Sequence, residues 1–338
     1  MRVLVSGGAG YIGSVLTGML LEAGHDVVVL DRMFFGNTLT HLEGEAGLRV
    51  VRGDVRTVDA AVLDGVDAVL GLAAISNDPA GELDPEATRS INFAGRARMA
   101  GLARDAGVGR YVLASSCSVY GFQDGTLDEH SSTKPLTTYA EANIDAEVAI
   151  LELSAPGFAT TALRQATVYG LSSRMRFDLA INGMALGAIR DGAIPILRDG
   201  TQWRPMVHVR DTARAFMTVL EAPREAIDGQ IFNVGSNDQN FQILPLARRV
   251  SEAAGVPFVD NWYGDPDHRS YQVSFDKIGS VLSYEPQLTP EDAAVEIRDA
   301  LETGLVTPDA RTRTVEWYRE LLTWKDRLDS VVLDGKVL

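Results

Sequence analysis

The 338-residue chain is 46% hydrophobic and 23% charged, ordinary usage for a globular protein long enough to hold two closely associated domains. Its formal charge of −15 argues against nucleic acid or an anionic membrane as the main partner, yet leaves room for a local arginine pocket around an anionic substrate. One cysteine, Cys117, excludes an intrachain disulfide framework; with no secretory leader pattern and no apolar run near the ~18 residues of a membrane span, the expected location is the cytoplasm.

In chain order, Arg2–Ser6 is a short apolar run suited to a buried parallel strand, and Gly7, Gly10 and Gly13 follow at spacings of three. That spacing has a mechanical meaning. Gly7 permits a tight turn, Gly10 lets backbone approach a pyrophosphate, and Gly13 lets the next helix lie close on the sheet with its N-terminal N–H groups facing the phosphates. The helix is expected over about Tyr11–Glu22, with Gly24 as its stop, and Asp26–Leu30 forms a second strand that delivers Asp31 to a ribose diol. A carboxylate there accepts hydrogen bonds from a free 2′-hydroxyl and repels a 2′-phosphate, which selects NAD over NADP; the adjacent Arg32 is the residue that speaks against this.

Strands and helices then alternate. Leu48–Arg52 reads as a strand ending in Gly53-Asp54-Val55, a helix is expected over about Val58–Leu63, and Ala68–Leu72 is the next strand. A longer helix over about Pro85–Ala106 precedes the strand Arg110–Ala114, and a helix over Thr138–Leu153 precedes the strand Thr160–Arg164. This order predicts an α/β fold, a doubly wound parallel sheet of the Rossmann type, with ligands gathered at the carboxyl ends of the strands. Beyond Gly170 the periodicity is lost, which marks a smaller C-terminal α/β substrate domain. The helix Asp211–Leu220 and strand Gln230–Val234 look apolar enough to rejoin the main sheet. The expected division is therefore discontinuous: 1–170 plus about 206–236 for the dinucleotide domain, and about 171–205 plus 237–330 for the substrate domain.

The strand ending at Ala114 places Ser116 at a carboxyl end, and Tyr139 opens a helix beside the same crevice, so a hydroxyl and a phenol can converge near a nicotinamide. In isolation each would be an ordinary buried hydroxyl or a helix-end aromatic. Cys117, just past a buried strand, reads as a small hydrophobe, and His208, within an apolar run, as a residue satisfying a core hydrogen bond.

These residues together resemble the extended short-chain dehydrogenase/reductases, specifically the nucleoside-diphosphate-sugar epimerases and dehydratases. The resemblance rests on the glycine turn, Asp31, Gly53-Asp54-Val55, Asn92 and Ser115–Gly121. It continues through Tyr139, Leu163-Arg164 to Val168-Tyr169-Gly170, Arg204 to Asp211, Phe232–Gly235 and Arg269-Ser270-Tyr271. It implies that Gly7, Gly10, Tyr11, Ile12, Gly13, Asp31, Asp54, Val55, Asn92, Tyr139 and Asn143 bind NAD. It further implies that Ser116, Tyr139 and Asn143 are the catalytic set, that Ser116, Asn182, Arg204 and Arg269 bind a nucleoside-diphosphate sugar, and that no metal is needed.

The chain departs from the pattern at Asn143, where the family carries a lysine that lowers the tyrosine's pKa. An amide brings no charge, so the sequence predicts slow hydride transfer with an alkaline optimum, and a gain in rate for Asn143→Lys. In the dehydratases an Asp-Glu pair follows the catalytic hydroxyl residue; here Cys117 and Ser118 stand there. This favours 4-epimerisation through a transient 4-keto sugar over dehydration, with a keto-sugar nucleotide reductase as an alternative. A sensor or scaffold that retains both binding sites without turnover is the alternative from another class. The sequence is compatible with a homodimer and does not specify one.

Overall fold

The computed structural model describes residues 1–265 and 270–336. Seven strands form one all-parallel sheet: β1 Arg2–Ser6, β2 Asp26–Asp31, β3 Leu48–Arg52, β4 Ala68–Gly71, β5 Arg110–Ser116, β6 Ala159–Gln165 and β7 Gln230–Val234. Their spatial order is 7-6-5-4-1-2-3, so the chain starts in the interior, winds to one edge, then crosses back and winds to the other. The reversal between β1 and β4 is where a parallel sheet opens a crevice at its carboxyl ends.

Side-chain alternation explains why both faces are covered. Val3, Val5, Val27 and Val29 point to one face and pack with Leu16, Leu20, Phe216 and Val219 from the helices Tyr11–Glu22 and Val209–Glu221. Leu4, Val28, Leu30 and Val69 point to the other, against Met99, Ala100, Ala146 and Ile150. Strands buried on both sides need continuous apolar runs, which these are.

The long helix expected after β4 is one rod with a defect in it. Pro85–Arg89 and Arg96–Asp105 are α-helical, but Ser90–Gly95 between them is a π-helical turn. Such a turn rotates the residues that follow relative to an unbroken α-helix, and it is frequent at functional sites. The expected helix over Val58–Leu63 is only a 3₁₀ segment, Ala60–Leu63.

After β6 the chain leaves the large sheet. Thr167–Tyr169, Trp203–His208 and Asn240–Gln242 make a small three-stranded sheet, and Ile194–Leu197 pairs with Asp260–Tyr263. The helices Ala180–Leu186, Ile243–Ala254 and Pro290–Glu302 close a separate core there, with Met184, Ile194, Ile196, Leu246 and Ile297 inside. The helix Thr314–Asp329 returns to the first unit: Trp317 Nε1 donates to the Phe34 carbonyl at 2.7 Å, and Tyr318 packs edge-on against Phe34. No described helix is long and apolar enough to cross a membrane.

Candidate active site

A cavity of roughly 600 Å³ lies across the carboxyl ends of the large sheet and is walled on its far side by residues of the second unit, among them Arg174, Arg176 and Arg204. That volume is within the ordinary range for a small-molecule site. Gly7, Gly10, Ile12, Gly13, Asp31, Asp54, Val55, Ser116, Tyr139 and Arg204 all line it, as does Tyr11.

At one end the glycine turn takes the shape its spacing demands. Gly7 sits at φ +77°, where a Cβ would lie 2.7 Å from the Ala73 nitrogen, and a Cβ on Gly13 would collide with the Gly7 carbonyl oxygen. The helix Tyr11–Glu22 opens from Gly10 with no side chain capping it and no acidic residue in its first turn. Its unpaired N–H groups and positive end are therefore left to an anionic ligand. Asp31 accepts from the Ala9 N–H at 3.1 Å and the Met33 N–H at 2.7 Å, which fix its carboxylate at the cavity wall. Burial pushes its pKa up, and those N–H bonds pull the other way.

Arg32 donates to Asp54 at 3.0 Å and lies over the Phe34 ring at 4.4 Å, so its guanidinium at the cavity wall is already engaged by a carboxylate and a ring. Arg56, bonded to the same carboxylate at 2.7 Å, holds Asp54 below the usual carboxylate range.

Asn92 departs from its expected role. Its amide closes a two-way clamp on Ile75, accepting from the N–H at 2.8 Å and donating to the carbonyl at 2.9 Å. The side chain is fully buried and fixes the segment after β4 that walls the cavity, rather than reaching a ligand. Tyr11 likewise turns its phenol away, donating to the Gly170 carbonyl at 2.6 Å.

At the other end, β5 delivers Ser116, whose Oγ accepts from the Ser118 N–H at 3.1 Å. Thr137 caps the helix Thr138–Leu151 by accepting from the Ala140 N–H at 3.2 Å, and its hydroxyl donates to Asp78 at 2.6 Å, which sets the height of Tyr139. Burial raises the pKa of the Tyr139 phenol. The charge of Arg96 opposes that rise, as do hydrogen bonds from Ser116 and Asn143, and Asp78 reinforces it.

Asn143 is buried and its amide is used internally, donating to the Tyr139 carbonyl at 3.0 Å and accepting from Arg96 Nη1 at 2.9 Å. It does not line the cavity wall, where the expected cofactor contact would place it, although its amide lies beside the Tyr139 phenol. Arg96, which the sequence did not single out, does line it.

On the substrate side, Arg204 projects from the strand Trp203–His208, its guanidinium 5.7 Å from the centre of the Tyr271 ring and donating to the Trp203 carbonyl at 2.8 Å. Arg269 lies outside the described residues. Asn182 does not line the cavity: it is completely buried, accepting from Gly170 N at 2.8 Å and donating to Tyr11 Oη at 3.0 Å and the Arg176 carbonyl at 2.9 Å. An amide buried away from the cavity, with both N–H groups already given to protein oxygens, joins the two units and has no donor left for a diphosphate.

Two arginines from the aperiodic stretch after Gly170 line the cavity. Arg174 stacks over Phe35 at 3.6 Å, its pKa pulled down by burial to about 9, and Arg176 forks onto Asp178 and reaches Ser76 at 3.1 Å. Only a cationic pattern without periodicity marked that stretch, too weak a signal to place either side chain.

Cys117 is fully buried, donates to the Arg164 carbonyl at 3.2 Å, and has its thiol pKa pushed up by burial. His208 is also fully buried, bonded to Glu296 at 2.8 Å.

The model of the NAD dependent epimerase/dehydratase family matches residues 3–235. The chain is 28% identical over 325 residues to the UDP-glucose 4-epimerase of Corynebacterium glutamicum, covering 90% of this chain and 97% of that one. It is 27% identical over 347 residues to the dTDP-glucose 4,6-dehydratase of Streptomyces niveus, covering 98% and 96%. Among solved structures, MoeE5 in complex with UDP-glucuronic acid and NAD superposes with a TM-score of 0.80 at 27% identity, over 90% of this chain and all of that one.

Proposed function

The chain belongs to the NAD-dependent epimerase/dehydratase family, its cofactor is NAD, and we propose that it inverts a nucleoside-diphosphate sugar at C4. The observation that carries the reading is the meeting of Ser116 and Tyr139 in the cavity headed by the glycine turn, with Cys117 and Ser118 rather than carboxylates at the two positions directly after Ser116. The residues present fit the cofactor: an uncapped helix end for the pyrophosphate, Asp31 for the ribose diol, and an Arg32 already committed to Asp54.

NAD, when bound, supplies reversible hydride acceptance. Tyr139 moves the proton of the sugar 4-hydroxyl, and Ser116 holds that oxygen by a hydrogen bond as it changes between hydroxyl and carbonyl. Because the pair grips the oxygen and not the ring, the same two groups serve either face of the sugar. Arg204 contributes a fork of N–H donors suited to a diphosphate.

Elimination of water needs a further acid and base beside the ring. Cys117 is buried with a raised pKa, and Glu141 is turned to Arg89 at 2.7 Å, so neither serves. A keto-sugar nucleotide reductase would use the same Ser116–Tyr139 pair and is told apart by net consumption of reduced cofactor.

Incubation of the pure protein with a panel of uridine, thymidine and guanosine diphosphate sugars, followed by NMR of the products, tests the proposal. An equilibrium mixture of C4 epimers without net change in cofactor is expected. A protein that binds these compounds yet converts none of them, and never reduces its NAD, is the non-catalytic binder instead.

A further inference from the structure

Arg96 is an unusual residue to find in the floor of a cavity. It is 1% exposed and makes no ion pair among the described residues. Its N–H groups go to neutral oxygens: Nη1 to the Asn92 carbonyl at 3.2 Å and to Asn143 Oδ1 at 2.9 Å, and Nη2 to the Ala114 carbonyl. The Nε–H is buried with no acceptor at all. Carbonyl oxygens orient a guanidinium without cancelling its charge, and a buried charge that is not cancelled acts strongly on its neighbours.

Burial lowers the pKa of Arg96, yet an arginine starts so far above neutrality that it remains charged. Two features hold it there. The π-helical turn Ser90–Gly95 ends immediately before it and sets its direction, and the Asn143 amide ties it to the first turn of the helix that carries Tyr139.

We infer that Arg96, reaching across from a different helix, is the cation that makes the Tyr139 phenol usable as an acid and base, and that Asn143 is the tether that positions it. The inference rests on Tyr139 being the proton carrier of the proposed reaction, and it assigns Asn143 a positioning role. Around the phenol, the charge that opposes Arg96 is Asp78 on the short helix Asp78–Gly81; the nearby Glu82 is engaged by the Thr138 N–H. Glu141 on the phenol's own helix is paired with Arg89. Tyr111 and Glu147 face Arg96 from the other side. Arg96 is the positive group among these that acts on Tyr139 and is not already paired with a carboxylate.

The inference also reverses the expectation for Asn143→Lys. With Arg96 in place, a lysine at that position sets an ammonium against a guanidinium in a buried space. The charge is exchangeable between the two positions, not additive.

The test reads the ionisation of Tyr139 directly, by fluorine NMR of fluorotyrosine-labelled protein with the Tyr139→Phe protein as assignment control, so it does not depend on turnover. Arg96→Met is expected to raise the titration midpoint by about one pH unit or more, a tenfold loss of phenolate at fixed pH. Arg96→Lys should hold it near the wild-type value, and Arg96→Thr combined with Asn143→Lys should bring it back down, since the cation has moved from one helix to the other.

The acid limb of the pH–rate profile should shift in the same order. An unmoved midpoint in Arg96→Met overturns the inference. Should that variant fail to fold, a double variant whose midpoint stays above that of wild type by a full unit overturns it equally. Failure of the wild type to convert any sugar nucleotide sinks the proposed reaction but leaves the titration result standing.

Discussion

Along one face of the helix Thr138–Leu151, Tyr139, Asn143 and Glu147 follow one another at four-residue spacing, and the two ends of that stripe meet buried arginines under opposite rules. At the inner end Glu147 receives Arg164 as a fork, with Nε to Oε1 at 2.9 Å and Nη2 to Oε2 at 2.7 Å, and takes a further bond from Ser115. Arg164 Nη1 is then used by the Tyr120 hydroxyl at 3.1 Å. Charge is cancelled and every guanidinium nitrogen has a partner, which makes a structural joint between β5, β6 and the helix.

At the outer end Asn143 receives Arg96 with an amide, leaving the positive charge intact one turn from a phenol at the cavity wall. The difference between a carboxylate and an amide, two positions on the same stripe, separates an arginine that holds the fold from one whose field is left for chemistry.

The sharpest way to break this comparison is to remove the group the outer end serves. Tyr139→Phe should lower turnover by about 10²–10⁴, the usual contribution of a positioned acid and base, while the protein still extracts with NAD bound. In the unaltered protein, burial raises the phenol's pKa, so the phenolate is the minor form at neutrality and grows with pH. The rate should therefore climb as pH rises from neutral toward that raised value. Product formation that survives Tyr139→Phe would assign the proton to another group.

At the inner end the expected loss is in stability. Arg164→Met leaves Glu147 buried without its partner, and breaking such a pair costs about 3–5 kcal/mol. Urea unfolding should show that loss, with NAD affinity in the surviving folded protein little changed. A midpoint that moves no more than for a surface substitution would mean the pair is not the joint described.

What was legible from the sequence divides along similar lines. The glycine turn, Asp31 and the alternation of strands and helices are encoded within thirty residues of each other or by simple periodicity, and the structure follows them closely. Ser116 and Tyr139 come from separate elements, but each sits at an element end that the alternation itself locates.

Arg96 was invisible because its direction depends on a π-helical turn that has no residue signature in Ser90–Gly95, and its meaning depends on a partner forty-seven positions away. Asn92 and Asn182, expected at the ligand, lie off the cavity wall for the converse reason. An asparagine suits a ligand and a neighbouring loop equally well, and here Ile75 and Gly170 reach the amides first. Arg174 and Arg176 lie in a stretch without periodicity, so only tertiary folding brings them to the wall.

Arg204 offers a smaller effect that tests the substrate side of the same cavity. Arg204→Ala should weaken sugar-nucleotide binding by about 1.5–3 kcal/mol, or roughly one to two powers of ten, and leave NAD binding unchanged. Arg204→Lys should recover only part, because an ammonium cannot reproduce the planar fork. Calorimetry with a nucleoside diphosphate alone separates the diphosphate contribution from that of the sugar. Equal affinities for the Ala variant and the wild type would move the diphosphate elsewhere along the wall, with Arg174 and Arg176 the next residues to replace.

The smallest expected effect belongs to Cys117, which follows Ser116 directly and occupies the position where a dehydratase would place an acid. Its side chain faces the inner end of the comparison: the thiol is fully buried, donates to the Arg164 carbonyl and has its pKa pushed up by burial. A thiol in that state is neither a nucleophile nor an acid at neutral pH.

Cys117→Ala should therefore leave the pH–rate profile superimposable on that of wild type. It should cost stability by about 1 kcal/mol, the scale of one lost weak hydrogen bond and the small void left by sulfur. A changed acid limb with unchanged stability would place the thiol on the Tyr139 side of the stripe, and the separation between the cancelled and the uncancelled arginine would then not describe how this site divides its work.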